Sequence, residues 1–183
     1  MKKHFEFLTL TLLVIITRIG DGITTQMATP DLSKELNPLA SGGWLTLIFV
    51  ASIVVGFSIF LNFRQVYFPL KNPFPINDND FKSFKKTYFD PSKNPIIQDN
   101  LLGFLIHIFG YILPRTLIIW STLLIINNLL TAFSFDSYIE LKQKYPVWLF
   151  FYLSLPVIGL ILVERLQKLD FTLQSRQLNK GQA

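Results

Sequence analysis

The sequence predicts an all-α membrane protein: a polytopic bundle of four transmembrane helices, with both ends cytoplasmic and an interfacial or re-entrant helix ahead of the third span. Three observations predict it. Apolar residues gather into runs long enough to cross a hydrocarbon layer about 30 Å thick. Nearly all charged residues fall between those runs. The cationic side chains collect in alternate connections, as they do on the cytoplasmic side of a bilayer.

The first span is expected at residues 5–28. Lys2, Lys3 and His4 precede it, and Pro30 marks its end. A charged start before an apolar run also opens a signal peptide. Here no small-x-small cleavage site follows, because the next residues are Gly20-Asp21-Gly22-Ile23. The helical pattern then resumes through Met27 and Ala28, so an uncleaved span is expected. A second span is predicted at 44–63, with Trp44 at its outer interface and Arg64 at its inner one. Ser52 and Gly56 lie four apart on it, a spacing that lets another helix approach closely.

Residues 64–100 read as a cytoplasmic loop. Pro69, Pro73, Pro75, Pro91 and Pro95 leave no room in it for a long helix. Phe81, Phe84 and Tyr88 recur at i, i+3 and i+7, the stripe of a short amphipathic helix. Two settings suit that stripe: a solvated juxtamembrane loop, or the headgroup layer with the rings down.

The apolar stretch from Leu101 to Phe133 would make a helix of roughly 50 Å, too long for one simple span. Pro114-Arg115 is the natural place to divide it. The expectation is an interfacial or re-entrant helix over 101–113 and a third span at 115–133, with Arg115 snorkelling at the inner interface. The alternative is a single kinked helix from about Leu101. It would carry Arg115 into the membrane, at high cost unless a partner meets it. The fourth span is predicted at 146–163 and a cytoplasmic polar tail at 164–183. Pro156 and Gly159 suggest a kink in the span, and Glu164-Arg165 anchors its inner end.

Orientation follows from counting cations. The N-terminus, the long loop, Arg115 and the tail hold thirteen of the seventeen Lys and Arg. That bias predicts both termini on the cytoplasmic side of the cell membrane, which requires an even number of spans. It also accounts for the net charge of +5 without nucleic acid as a partner. The absence of cysteine excludes disulfides and thiolate metal sites. With only two histidines, no metal site or cofactor is expected, and the glycine-loop, zinc-protease and serine-hydrolase motifs are missing.

The candidate polar site begins on the first span with Arg18, Asp21, Thr24 and Thr25, and continues with Glu35 and Asn37 on the next connection. Asp21 lies roughly 24 Å along the helix from Phe5, in the outer third of the span. Arg18 can reach it across one turn. A central Arg–Asp pair costs about 5–7 kcal/mol to insert, while ten apolar residues return about 3–6. The span is therefore comfortable only if the pair sits outward or neighbouring helices cover it.

Two arrangements satisfy these groups. The oxygens of Asp21, Thr24, Thr25, Glu35 and Asn37 could converge on a hard cation, a headgroup or a polar substrate. Or Asp21 pairs with Arg18, the threonines bond their own helix carbonyls, and Asn37-Pro38 forms a turn. His107 is expected to be packed or interfacial rather than a ligand. Asn127-Asn128 can bond between helices or line a polar pathway.

The pattern Asp21-x-x-Thr24-Thr25 … Glu35-x-Asn37-Pro38 resembles one in small multi-span prokaryotic membrane proteins of unknown function. It covers about residues 15–65, and the resemblance implies a membrane protein with no assigned chemistry.

Two functional readings follow. One is a non-enzymatic membrane subunit or scaffold, partnered by the lipid bilayer and by other membrane proteins or a second copy. The other is an ion or small-solute transporter, or a lipid-active membrane enzyme, built around Asp21.

Overall fold

The computed structural model describes residues 2–32, 41–70 and 80–181. Every regular element among them is helical: α1 (Lys2–Ala28), α2 (Gly43–Tyr67), α3 (Phe81–Tyr88), α4 (Pro95–Ala132), α5 (Asp136–Lys144) and α6 (Val147–Gly181). Four of these, α1, α2, α4 and α6, are long and apolar enough to cross a membrane.

Their contacts fix relative directions. Arg18 meets Ser121, and Thr25 meets Asn128, so α1 and α4 run parallel. Phe7 packs on both Phe63 and Tyr67, and His4 hydrogen-bonds Tyr67, so α2 runs antiparallel to α1. His107 meets Asp170 while Trp120 meets Phe151, so α6 runs antiparallel to α4. The N-terminal end of α1 and the C-terminal half of α6 therefore lie at the same end of the bundle, called here the terminal end.

The third span differs from expectation. The apolar stretch is not divided at Pro114-Arg115, because α4 is helical through Pro114. Its one non-helical residue is Asn100 (φ −151°, ψ 63°). The Asn100 side-chain oxygen accepts from the Gly103 N–H (2.9 Å), as an N-cap does, so a long helix begins at 101. What makes the single kinked helix tenable is a partner for Arg115. Its side chain runs back toward the terminal end, as helical side chains do. There it donates to Glu6 Oε1 (2.7 Å) and to the Tyr111 carbonyl, and stacks on the Tyr111 ring (3.8 Å). The cation is thus neither bare nor at a helix start.

Pro114 is tolerated because it lies where α4 presses on α2. Gly110, one turn earlier, touches the α2 backbone so closely that a Cβ there would stand 2.5 Å from the Leu61 carbonyl oxygen. This is the small-residue contact of the bundle. Ser52 and Gly56 do not supply one: Ser52 is exposed and Gly56 faces open space. The face that α2 buries is Ser58, Leu61, Asn62 and Val66.

The second difference is at the terminal end. α4 and α6 have 38 and 35 residues, roughly 57 and 52 Å, so both overrun the hydrocarbon layer. The residues expected as a polar tail continue α6 as helix. Leu162, Leu166, Gln167, Asp170 and Gln174 form one buried stripe, while Arg165 and Lys168 face outward. The rings of α3 do not face headgroups or water. Phe84 and Tyr88 are wholly buried, packed with Phe104 on α4 and Phe171 on α6.

Together with Ile96, Ile108, Tyr111, Leu162 and Leu166 they make a compact apolar core. Leu166 is 3% exposed and Leu160, less than two turns away, is 71% exposed. The two lie on different faces of α6, one packed against the cap and the other turned outward.

Local signals fix the joints. Asn94 caps α4, accepting from the Ile96 N–H, with Pro95 in the first turn. At the other end, Ser134 takes positive φ (51°). The N–H of Phe135 reaches the Leu130 carbonyl and that of Ser134 the Thr131 carbonyl, a Schellman closure. It turns the chain into α5.

Candidate functional site

Two polar clusters stand toward opposite ends of the helical bundle. Both use α4, at Ser121 to Asn128 for one and His107 for the other, a separation of roughly 21–32 Å along the helix.

The first cluster is the one expected on α1. Arg18 Nη1 donates to Asp21 Oδ2 (3.0 Å) and to Ser121 Oγ (3.2 Å). Asn128 Nδ2 donates to Thr25 Oγ1 (2.9 Å), with Asp21 Oδ1 and Thr24 Oγ1 each at 3.5 Å. The Thr24 hydroxyl itself bonds back to the carbonyls of Gly20 and Asp21. Asn127 donates to Asn128 and accepts from the Tyr138 hydroxyl of α5 (2.6 Å).

Four of the six expected residues, Arg18, Asp21, Thr24 and Thr25, therefore come together, on one face of α1 against α4. Glu35 and Asn37 lie outside the described residues. Ser121 was not singled out by the sequence, because a lone serine in an apolar run carries no distinguishing pattern. Asn127-Asn128 does what the interhelical reading of that pair requires. Thr24 and Asp21 follow the self-satisfying arrangement on their own helix, while Thr25 is met from α4 by Asn128.

The second cluster was not legible. Tyr88 of α3 donates to Asp170 Oδ2 of α6 (2.7 Å), and His107 Nε2 of α4 lies 2.9 Å from the same oxygen. A carboxylate can only accept, so Nε2 carries the proton. Asp170 is 6% exposed and Tyr88 has no exposure. Burial first, then the neighbouring Asp170 charge and hydrogen bond, pushes the Tyr88 phenol well above its ordinary value. Phenol, carboxylate and imidazole thus lock three elements together. His107 is packed, as expected of it, but it has an acid partner. The one sequence signal for Asp170 is its place on the stripe that continues from Leu162 and Leu166.

Around this cluster Lys85 approaches Glu164 (3.8 Å), and Lys168 pairs with Glu164 (3.1 Å) at the rim. Lys85–Glu164 joins α3 to α6 while Lys168–Glu164 lies within α6, and such exposed pairs contribute little stability. Asp90 accepts from both the amide and the hydroxyl of Ser92, which hold its carboxyl below the usual range in the turn after α3. Among the described residues no group of three His, Asp or Glu side chains is placed to hold a metal ion.

A helical bundle with four apolar spans and a capped terminal end is a multi-pass membrane protein in class. No family model matches the chain, and neither does any curated protein or solved structure.

Proposed function

We propose that the protein is a non-catalytic membrane subunit, a multi-pass scaffold whose polar groups hold its own helices together. Its outward apolar faces are then available to lipid and to the helices of a partner or a second copy. The observation that carries this reading is how the intramembrane polar groups are used. Arg18, Asp21, Thr24 and Thr25 direct their hydrogen bonds to one another, to their own helix or to Ser121 and Asn128. Such an arrangement functions as a clamp between α1 and α4.

In the same reading the terminal end faces the cytoplasm of the cell, following the cation bias. The cap of α3 and α6 carries exposed Lys82, Lys85, Lys86, Arg165 and Lys168, which suit that side. Tags at the two ends should both report from the cytoplasm.

The competing reading, an ion or solute path through Asp21, draws on one observation: a carboxylate 7% exposed inside a membrane span. Reconstitution separates the two. In vesicles containing purified protein, the scaffold reading predicts no ion or proton flux above protein-free vesicles, and Asp21→Asn changes only thermal stability. A flux that Asp21→Asn abolishes, at unchanged insertion, overturns it.

A further inference from the structure

At the terminal end a cleft of about 80 Å³ opens between the last turns of α2 and the part of α4 that begins after Asn100. Arg64, Gln65, Asn100 and His107 supply its polar lining, with Phe68 and Ile106 among its apolar walls. Its chemistry is one-sided. Among the described residues the Arg64 guanidinium has no acidic group within ion-pair distance, and its one recorded side-chain contact is the Phe68 ring at 5.0 Å. Gln65 and the Asn100 amide nitrogen likewise donate to no protein acceptor there. Among the described residues no carboxylate lines the cleft. Asp170 is engaged by His107 and by Tyr88.

Three donor-bearing side chains with unmet N–H groups therefore border one small space. Asn100, which caps the long helix, brings that helix's positive end beside it. The depth is informative too. Arg64 closes the apolar run of α2, so the cleft sits at the headgroup layer rather than in hydrocarbon.

We propose that this cleft binds a phosphate group presented at headgroup depth, with the Arg64 guanidinium as the principal contact and the Gln65 and Asn100 amides completing it. Arginine's planar fork matches phosphate oxygens. The volume admits a phosphate-sized group. The inference rests on the membrane placement of α2 and α4 and is independent of the scaffold reading.

The test is native mass spectrometry of the full chain in detergent, titrated with phosphatidylglycerol, with phosphatidylcholine and, separately, with inorganic phosphate. Wild type should hold phosphatidylglycerol about tenfold more tightly than Arg64→Gln does, the loss expected for one strong charge-assisted contact. It should also hold phosphatidylglycerol more tightly than phosphatidylcholine, whose choline cation would face Arg64. Gln65→Leu should lose a smaller factor. The double variant Lys82→Gln/Lys86→Gln, which removes exposed charge on α3, should stay within about twofold of wild type.

Competition by millimolar inorganic phosphate that requires Arg64 would support the same site with a soluble source, and lack of competition a lipid source. Arg64 also stabilises the α2 C-terminus, so melting temperature is recorded without lipid. If Arg64→Gln fails to fold, Arg64→Lys, which keeps the charge but loses the fork, should still weaken phosphatidylglycerol severalfold. The proposal is overturned if Arg64 variants bind as wild type does, or if the lysine pair matters as much as Arg64.

Discussion

The two polar clusters solve the same problem in different surroundings. At the Arg18–Asp21 cluster the chain places an ion pair inside an apolar span and covers it with one helix, α4. At the Tyr88–His107–Asp170 cluster it places a carboxylate in the C-terminal half of α6 and covers it with side chains from α3 and α4. The first is built around charge and needs little apolar packing, since lipid already surrounds it. The second sits at the edge of an apolar core made by Phe84, Phe104, Ile108 and Leu166. The contrast teaches where each kind of driving force acts. Within lipid, apolar burial gives helices no reason to associate, and polar contacts and close packing do the work. Outside it, the hydrophobic effect returns and can assemble a cap.

That contrast predicts where each cluster fails when broken. Asp21→Ala leaves Arg18 without its carboxylate at a site about a quarter exposed. Breaking a buried pair on one side costs about 3–5 kcal/mol, and partial exposure brings this to about 3. The expected outcome is a marked fall in membrane-inserted protein, measured by fractionation. The double variant Arg18→Leu/Asp21→Leu should restore insertion, because apolar residues of similar volume replace such pairs at little cost. If the double variant is as poor as Asp21→Ala, the pair has a role beyond its mutual neutralisation.

Asp170→Ala should act elsewhere. It removes the acceptor shared by Tyr88 and His107 and costs about 2 kcal/mol. Insertion should be unchanged, since Asp170 lies beyond the most apolar part of α6. Limited proteolysis from the terminal side should instead cleave the C-terminal half of α6 and α3 severalfold faster than in wild type. Equal loss of insertion in the two variants would erase the distinction between clamp and cap.

How far each cluster could be read from sequence follows the same division. Charge in an apolar run is conspicuous, so Arg18 and Asp21 stood out and Thr24 and Thr25 followed by helical spacing. The four long helices were legible for the same reason. The break in the third span was not. Proline and arginine at 114–115 read as a boundary, yet a helix packed on both sides tolerates proline, and Glu6 neutralises Arg115 from 109 residues away. The cap was missed because charged residues at 164–168 read as the end of a helix. They lie on its solvent side, while Leu166, Asp170 and Gln174 carry the buried stripe onward. Pattern along a chain reports which face is polar. It does not report that another segment will cover the opposite face.

A smaller test sharpens the cap by pH. The Tyr88 phenol is held above its ordinary value in the folded protein, so its contribution to stability is complete below the unfolded value of about 10. It is lost as pH rises beyond that, because the unfolded chain releases this proton first. Wild type should therefore lose thermal stability above about pH 10 more steeply than Tyr88→Phe, by at most about 1.4 kcal/mol per pH unit. At pH 7, Tyr88→Phe should cost about 1.5 kcal/mol, one hydrogen bond to a charged acceptor. Parallel curves for the two proteins above pH 10 would mean that Tyr88 titrates freely and the cap is open.

The smallest effect belongs to the neutral part of the clamp. Asn128 donates to Thr25 at 2.9 Å across the α1–α4 contact, and neither side chain is charged. Interhelical hydrogen bonds of this kind average only about 0.6 kcal/mol, because the separated helices find other partners in the membrane. A double-mutant cycle with Thr25→Val and Asn128→Leu, read by thermal unfolding in detergent, should give a coupling near that value. The single variants alone would mix this bond with the longer approaches of Asn128 to Asp21 and Thr24. A coupling of about 2 kcal/mol or more would mean that Asn128 orders the whole cluster, with Asp21 depending on it. A coupling of zero would leave the clamp to the Arg18–Asp21 pair and its bond to Ser121, with the Arg115–Glu6 pair joining the same two helices at the terminal end.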